Sequence, residues 1–149
     1  MKKNTVNADE SNIKIRKCLR KDLPEIFSIL QSISNFIPDK KDNNKIWDAF
    51  IKQNNMSSIV IILDEKIIGY GSVVFETKIR GGIHGHIEDI AIHKDFHKNQ
   101  FGTLLVNKLI QIAKEKKCYK VSLGCNENNL NFYKKNKFEE SGKFMQIIF

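Results

Sequence analysis

The chain has 149 residues, 41% of them hydrophobic and 28% charged, which suits one globular domain with a sizeable core and excludes a disordered or fibrous class. No apolar run approaches the roughly 20 residues of a membrane span, and the opening MKKNTVNADESN lacks the apolar stretch of a secretory signal. A polar, disordered tail over residues 1–12, one domain over 13–149, a cytoplasmic location and no membrane partner are therefore expected. The formal net charge is +8, but only Arg16, Arg20 and Arg80 among 25 basic residues are arginines. Arginine is the residue of bidentate phosphate recognition, and the lysine excess runs through the whole chain, so no nucleic-acid partner is expected. Such a surface suits anionic small molecules. The cysteines are Cys18, Cys118 and Cys125; an odd number without a CxxC pair fits a reducing compartment.

IKIRKCL (13–19) alternates and predicts a first strand. In RKDLPEIFSILQSISNF, Asp22 is a capping residue, Pro24 fits a first turn, and Leu23, Ile26, Phe27, Leu30 and Ile33 share a helical face. A second helix is expected over about 43–53, with Trp47 and Phe50 inward. SIVIIL and KIIGYGSVVFET, joined at DEK, read as an antiparallel hairpin. The loop KIRGGIHG carries the Gly81-Gly82 pair. HIEDIAIH (86–93) reads as a strand, and a helix follows from about 101 to 116 with Leu104, Leu105, Leu109, Ile112 and Ala113 as its apolar stripe. CYKVSLGC reads as a buried strand with Cys118 and Cys125 in or near the core. NNLNFYKKN reads as a short helix and FEESGKFMQIIF as a final strand. The βαβ unit at 86–125 calls for two parallel strands joined by a right-handed crossover. The fold class expected is α/β: a mixed, largely antiparallel sheet flanked by helices.

Between the strand HIEDIAIH and the following helix lies HKNQFGT (97–103). A helix N-terminus leaves four N–H groups unpaired and carries about half a positive charge. The turn is therefore suited to an anion such as a diphosphate, with Gly102 permitting close approach and Lys98 adding charge. One glycine after a strand is common, and the Lys-Ser/Thr pair of a P-loop is missing.

The wider stretch GHIEDIAIHKDFHKNQFGTLLVNKLIQIAKEKKCYKVSLGCNENNLNFYKKNKF (85–138) resembles the core of the GNAT superfamily of N-acetyltransferases. Within it, GHIEDIAI, CYKVSL and NFYKKNKF are similar to the glucosamine-6-phosphate N-acetyltransferase family. The resemblance implies a splayed parallel strand pair and acetyl-CoA as co-substrate, with His97, Lys98, Asn99, Gln100, Phe101, Gly102 and Thr103 at the pyrophosphate turn. His97 departs from the family's Arg/Gln, and Gln100 replaces its first glycine. The resemblance further implies backbone pairing of Ile90, Ala91 and Ile92 with the pantetheine arm, and Asn129, Tyr133 and Lys135 near the coenzyme. Tyr133 inherits the contact to the coenzyme sulfur and protonation of the leaving group. Asp89, through its backbone, is the other catalytic candidate. Ser34, Lys78, Arg80, Glu88, Asp89 and Lys120 are the substrate-binding candidates.

The implied reaction is direct attack of a neutral amine on the thioester in a ternary complex, with glucosamine 6-phosphate as acceptor and a role in UDP-GlcNAc biosynthesis. Two positions depart from the family: Gly124 stands where a carboxylate holds the amine, and Ile148 where an Arg meets the sugar phosphate. Glu88 and Glu127 are the other carboxylates to consider as base. The family's dimers join their C-terminal strands, and FMQIIF would make a poor free edge, so a homodimer is expected. Same-fold alternatives are acetylation of another small amine or of a protein N-terminus. Non-catalytic coenzyme binding and RNA binding are alternatives of a different class. His84 and His86 are two apart on one strand face, but a third ligand at a recognisable spacing is lacking, so no metal is expected.

Overall fold

The computed structural model describes residues 12–97 and 100–149. The expected tail, apart from Asn12, and the turn residues Lys98 and Asn99 lie outside the described residues. The chain forms strand β1 (Ile13–Lys17), helix α1 (Leu23–Leu30), helix α2 (Asn43–Ile51) and strands β2 (Met56–Leu63), β3 (Lys66–Thr77) and β4 (Ile83–Ile92). Helix α3 (Phe101–Glu115), strand β5 (Cys118–Ser122) and helix α4 (Glu127–Lys135) follow. One sheet holds the strands in the order β1-β2-β3-β4-β5. It is antiparallel through β4 and parallel between β4 and β5, the mixed α/β arrangement expected.

The run SIVIIL has no polar face because both of its faces are covered. Ile59, Ile61 and Leu63 join Val73, Phe75 and Ile87 against Phe101, Leu105, Leu109 and Ala113 of α3. Val60 and Ile62 join Ile67, Tyr70 and Ala91 against Ile26 and Ile29 of α1, with Trp47 of α2 packed at the margin. Leu105 and Leu109 are fully buried, each worth about 1.5–3 kcal/mol of transfer free energy. The DEK connection is a tight turn in which Asp64 and Glu65 both take positive φ, 47° and 63°. That matches the twist of the hairpin strands without any glycine.

Several local expectations are corrected. Asp22 precedes α1 but makes no cap bond to it; its carboxylate accepts from Leu19 N–H and from Arg16. Ile33 is exposed and Ile29 takes its place in the core; Leu104 is likewise displaced to the surface, and Val106 is buried. Trp47 and Phe50 are only half-buried. β5 stops at Ser122 and is a half-exposed edge strand, with Tyr119 52% exposed and Cys125 in solvent. FEESGKFMQIIF forms no strand: after α4 the chain is irregular, with Phe144, Met145, Ile147, Ile148 and Phe149 exposed. Its apolar pattern has no neighbouring strand to pair with, and a strand exists only through its ladder.

Candidate active site

β5 pairs along its whole short length, but with only the first part of β4. Their ladder runs from Ile83↔Cys118 to His86↔Ser122. Past that point β4 continues to Ile92, and its edge from Ile87 onward has no β5 partner. Unpaired N–H and C=O groups therefore line a fork. Within the fork the β3–β4 register also breaks: Tyr70 pairs with Ala91, but Ser72 pairs with Glu88. Two residues of β4, Asp89 and Ile90, thus face Gly71 alone, which is a β-bulge. Asp89 holds it with φ 55°, a left-handed conformation that aspartate tolerates better than most residues. A Cβ on Gly71 would lie 2.8 Å from Ile90 Cδ1, so any side chain there would push the tip of the bulged Ile90 aside. The Asp89 residue is open to solvent, yet the protein around its carboxyl raises its pKa by desolvation. Glu88 is exposed, and its carbonyl accepts from Ser72 Oγ at 3.3 Å.

The turn after β4 closes on itself. His97 Nε2–H donates to the Ile92 carbonyl at 2.6 Å, so that ring nitrogen braces the turn and is not free for a ligand. Gln100 precedes α3 without a side-chain cap bond, and Phe101 is buried edge-on against Phe96. Gly102 has a role the sequence did not reveal. A Cβ there would sit 3.2 Å from Phe132 Cζ and 4.0 Å from Ile92 Cγ1. The missing side chain is what lets the start of α3, the end of β4 and α4 meet. Thr103 is half-buried in the same first turn.

That contact brings α4 to the fork. Tyr133, next to Phe132, is 9% exposed, more enclosed than its polar surroundings in sequence imply. Phe132 and Phe138 pack edge-on against its ring at 5.0 and 5.8 Å between centroids. Burial, and the nearby Cys125, raise the phenol pKa, so the hydroxyl stays protonated at neutral pH. Asn129 and Lys135 are exposed on α4.

The remaining candidates divide. Lys78 pairs with Glu76 at 2.7 Å, and Lys120 is the β5 partner of His84, so both stand on the polar face at the root of the fork. Arg80 is exposed in the turn between β3 and β4, and Ser34 is exposed after α1, where its hydroxyl accepts from Phe36 N–H at 3.2 Å. Neither is drawn to the fork by a hydrogen bond. Around Lys78 lies a relay not foreseen from sequence: His84 Nε2 is 2.9 Å from Ser122 Oγ, which is 3.1 Å from His86 Nδ1, while His86 Nε2 lies 2.8 Å from Glu76 Oε2. The bonds to Lys78 and His86 pull the Glu76 pKa down to about 2. Burial, with His86 and the nearby lysines, lowers that of His84. The only sequence signal was HxH at period two; Glu76 enters through the sheet register, as the β3 partner of His84.

Gly124 is exposed, and a Cβ there would meet only Phe144, at 3.9 Å. Packing does not forbid the carboxylate that the resemblance calls for. A surface depression of about 540 Å³ against Lys14, Arg16, Asp22 and Glu65 lies at the β1 edge of the sheet. Lys14 is paired there with Glu65 and Arg16 with Asp22, and the depression contains none of the candidate residues. No described helix is long and apolar enough to cross a membrane.

The model of the acetyltransferase (GNAT) family matches residues 20–138. Glucosamine 6-phosphate N-acetyltransferase 1 of Dictyostelium discoideum is 38% identical over 101 residues, and the match spans 64% of each chain. The Schizosaccharomyces pombe glucosamine 6-phosphate N-acetyltransferase is 36% identical over 89 residues, 56% of this chain and 80% of that one. Among solved structures, the Arabidopsis thaliana glucosamine-6-phosphate N-acetyltransferase superposes with a TM-score of 0.80 at 28% identity, covering 92% of this chain and 98% of that one. An acetyltransferase from Trypanosoma brucei superposes with a TM-score of 0.84 at 25% identity, over 92% and 99%. The matched region spans the sheet from α1 through α4, with the fork, the bulge and the turn inside it, and the chain belongs to the GNAT family of acetyltransferases.

Proposed function

We propose that the protein transfers acetyl from acetyl-CoA to the amine of glucosamine 6-phosphate, giving N-acetylglucosamine 6-phosphate by direct attack in a ternary complex. The observation that carries this reading is the unpaired edge of β4 with its bulge at Asp89 and Ile90. An extended pantetheine arm is itself a chain of amides, and it adds to that edge as a strand would. Ile90, Ala91 and Ile92 supply the pairing. The turn from His97 to Thr103, with the N–H groups that open α3, receives the pyrophosphate. The relatives named for this acceptor support the choice of sugar.

Alignment of the two reactants in one cleft provides the largest part of the acceleration. A backbone N–H freed at the bulge stabilises the oxyanion. Water held against the Asp89 carbonyl takes the amine proton and passes it to solvent. The Tyr133 phenol titrates above its usual value, and a thiol near 8.5. It therefore serves chiefly as a hydrogen-bond donor to the departing sulfur. Lys78, Lys120, Arg80 and Ser34 are the groups for the sugar phosphate, and Asn129 and Lys135 flank the coenzyme.

The exposed apolar tail around Phe144 to Phe149, together with the open edge of β5, favours a homodimer in which a partner's tail completes the sheet. Monomers in sedimentation at micromolar concentration would count against that arrangement. The activity is tested by mixing the protein with acetyl-CoA and a thiol reagent. Thiol release is expected only when glucosamine 6-phosphate is added. Release with a polyamine or a peptide amine but not with the sugar phosphate would overturn the acceptor, and coenzyme binding without turnover on any amine would overturn the enzyme.

A further inference from the structure

His84 and His86 lacked a third ligand in sequence, and the sheet supplies one. Glu76 is directly opposite His84 across the β3–β4 ladder, with Val74 opposite His86. Alternation then places Glu76, His84 and His86 on one face. One donor atom from each of the three lies within 4.8 Å of the others. Around a tetrahedral zinc with bonds of about 2.0–2.1 Å, ligand atoms stand roughly 3.3–3.4 Å apart. Closing the gap takes about an ångström of side-chain movement. Glu76 and His86, with side chains 49% and 33% exposed, have room to make it.

We propose that Glu76, His84 and His86 form a binding site for one divalent ion of the zinc type, with an open position for water. Two imidazoles and one carboxylate, without sulfur, suit a borderline ion. Ser122 is the outer-shell group. Its Oγ lies within hydrogen-bond distance of both rings, at 2.9 and 3.1 Å, and fixes how the imidazoles face. Lys78 is the competitor: its ammonium sits 2.7 Å from Glu76 Oε2 and holds the place that an ion would take. The site lies at the root of the fork, where β4 and β5 make their last pair. No step of acetyl transfer passes through the ion, although Lys78 and Lys120 beside it are also groups proposed for the sugar phosphate.

The test uses the full chain, stripped with a chelator and titrated with Co(II), which is then displaced by Zn(II). One ion per chain is expected, with the visible d–d absorption of a low-coordinate Co(II) site. Glu76→Gln and His86→Gln remove ligands at solvent-exposed positions and should abolish that signal. Ser122→Ala should weaken binding by about tenfold or more. Lys78→Met should strengthen it, the opposite direction to every ligand loss. No saturable uptake at micromolar metal overturns the proposal. So does uptake unchanged in both ligand variants, or a Co(II)–thiolate charge-transfer band, which would put the ion on a cysteine such as exposed Cys125.

Discussion

At the β1 edge of the sheet, Asp22 is 3% exposed and fully engaged: Arg16 holds it at 2.6 and 2.9 Å and Leu19 N–H at 2.7 Å. At the β4–β5 edge the strands part after one short ladder. Asp89 there carries a left-handed φ and a pKa raised by desolvation, with no salt bridge to its carboxyl among the described residues. In the first region every buried charge has its partner, and the chain gains stability. In the second, the β4 edge past His86 has no strand partner, and Glu88 and Asp89 face solvent. The two carboxylates differ accordingly: the bonds from Arg16 and Leu19 hold Asp22 below its ordinary pKa, while desolvation raises that of Asp89, which under the proposed function sets a stabilising contact apart from the proposed site within one sheet.

The sharpest way to break that contrast is at Tyr133. Replacing it with Phe keeps the packed ring and removes the hydroxyl. Turnover should fall by about ten- to a thousandfold with the melting temperature unchanged. An unaltered turnover, measured where chemistry limits the rate, would show that Tyr133 belongs with the packing and not with the reaction.

Asp22→Asn should do the reverse, lowering stability while sparing chemistry in the molecules that remain folded. Breaking a buried pair costs about 3–5 kcal/mol, and the lower end applies because the Arg16 side chain is 33% exposed. Burial works to raise the Asp22 pKa, but the bonds from Arg16 and Leu19 outweigh it and the net shift is downward. A carboxylate with a depressed folded pKa contributes its stability above the unfolded value of about 3.9 and loses it as pH falls through the folded value. Denaturant titrations below pH 4 should therefore show a shallower acid decline in Asp22→Asn than in the parent. Parallel declines would remove Asp22 from the account.

Gly102→Val tests the junction between the two regions. Its branched side chain meets the Phe132 ring, 3.2 Å from the Cβ position, so overpacking of about 1–3 kcal/mol is expected. Apparent affinity for acetyl-CoA should weaken, with the acceptor's little changed. Equal coenzyme affinity in a folded variant would take the turn out of the coenzyme site.

The smallest effect is expected from Gly124→Asp, which fits beside Phe144 without a clash. An amine resembling an α-amino group, with a pKa of about 7.7–8.0, is already roughly a tenth to a fifth neutral at pH 7. A restored base can therefore gain no more than about tenfold. In the parent, kcat/KM should climb with pH through the free amine's own pKa, and the variant should be flatter below it. A parent profile already flat from pH 6 would show that a carboxylate elsewhere, Glu88 or Glu127 first, already does this work.

Periodicity alone was enough for the hairpin and for the crossover from β4 through α3 to β5, because each depends on the local side-chain period and on how far it runs; the two-sided burial of SIVIIL came only with the packing. The resemblance carried by GHIEDIAI and NFYKKNKF led to the fork and to Tyr133. The rest depended on which distant residues meet. Nothing in EDIAI announces a bulge, since Asp89 takes its left-handed φ only because the β3 register forces two residues against Gly71. Gly102 reads as a ligand cradle; that its empty Cβ position also faces Phe132, thirty residues on, depends on packing alone. Glu76 joined His84 and His86 only through cross-strand pairing. FMQIIF has the composition of a strand, yet a strand needs a ladder partner, and this chain alone does not give it one. Local pattern determined the elements, because dihedral preference and side-chain period act over a few residues. Register and packing decided the site, because they act between residues that the chain keeps far apart.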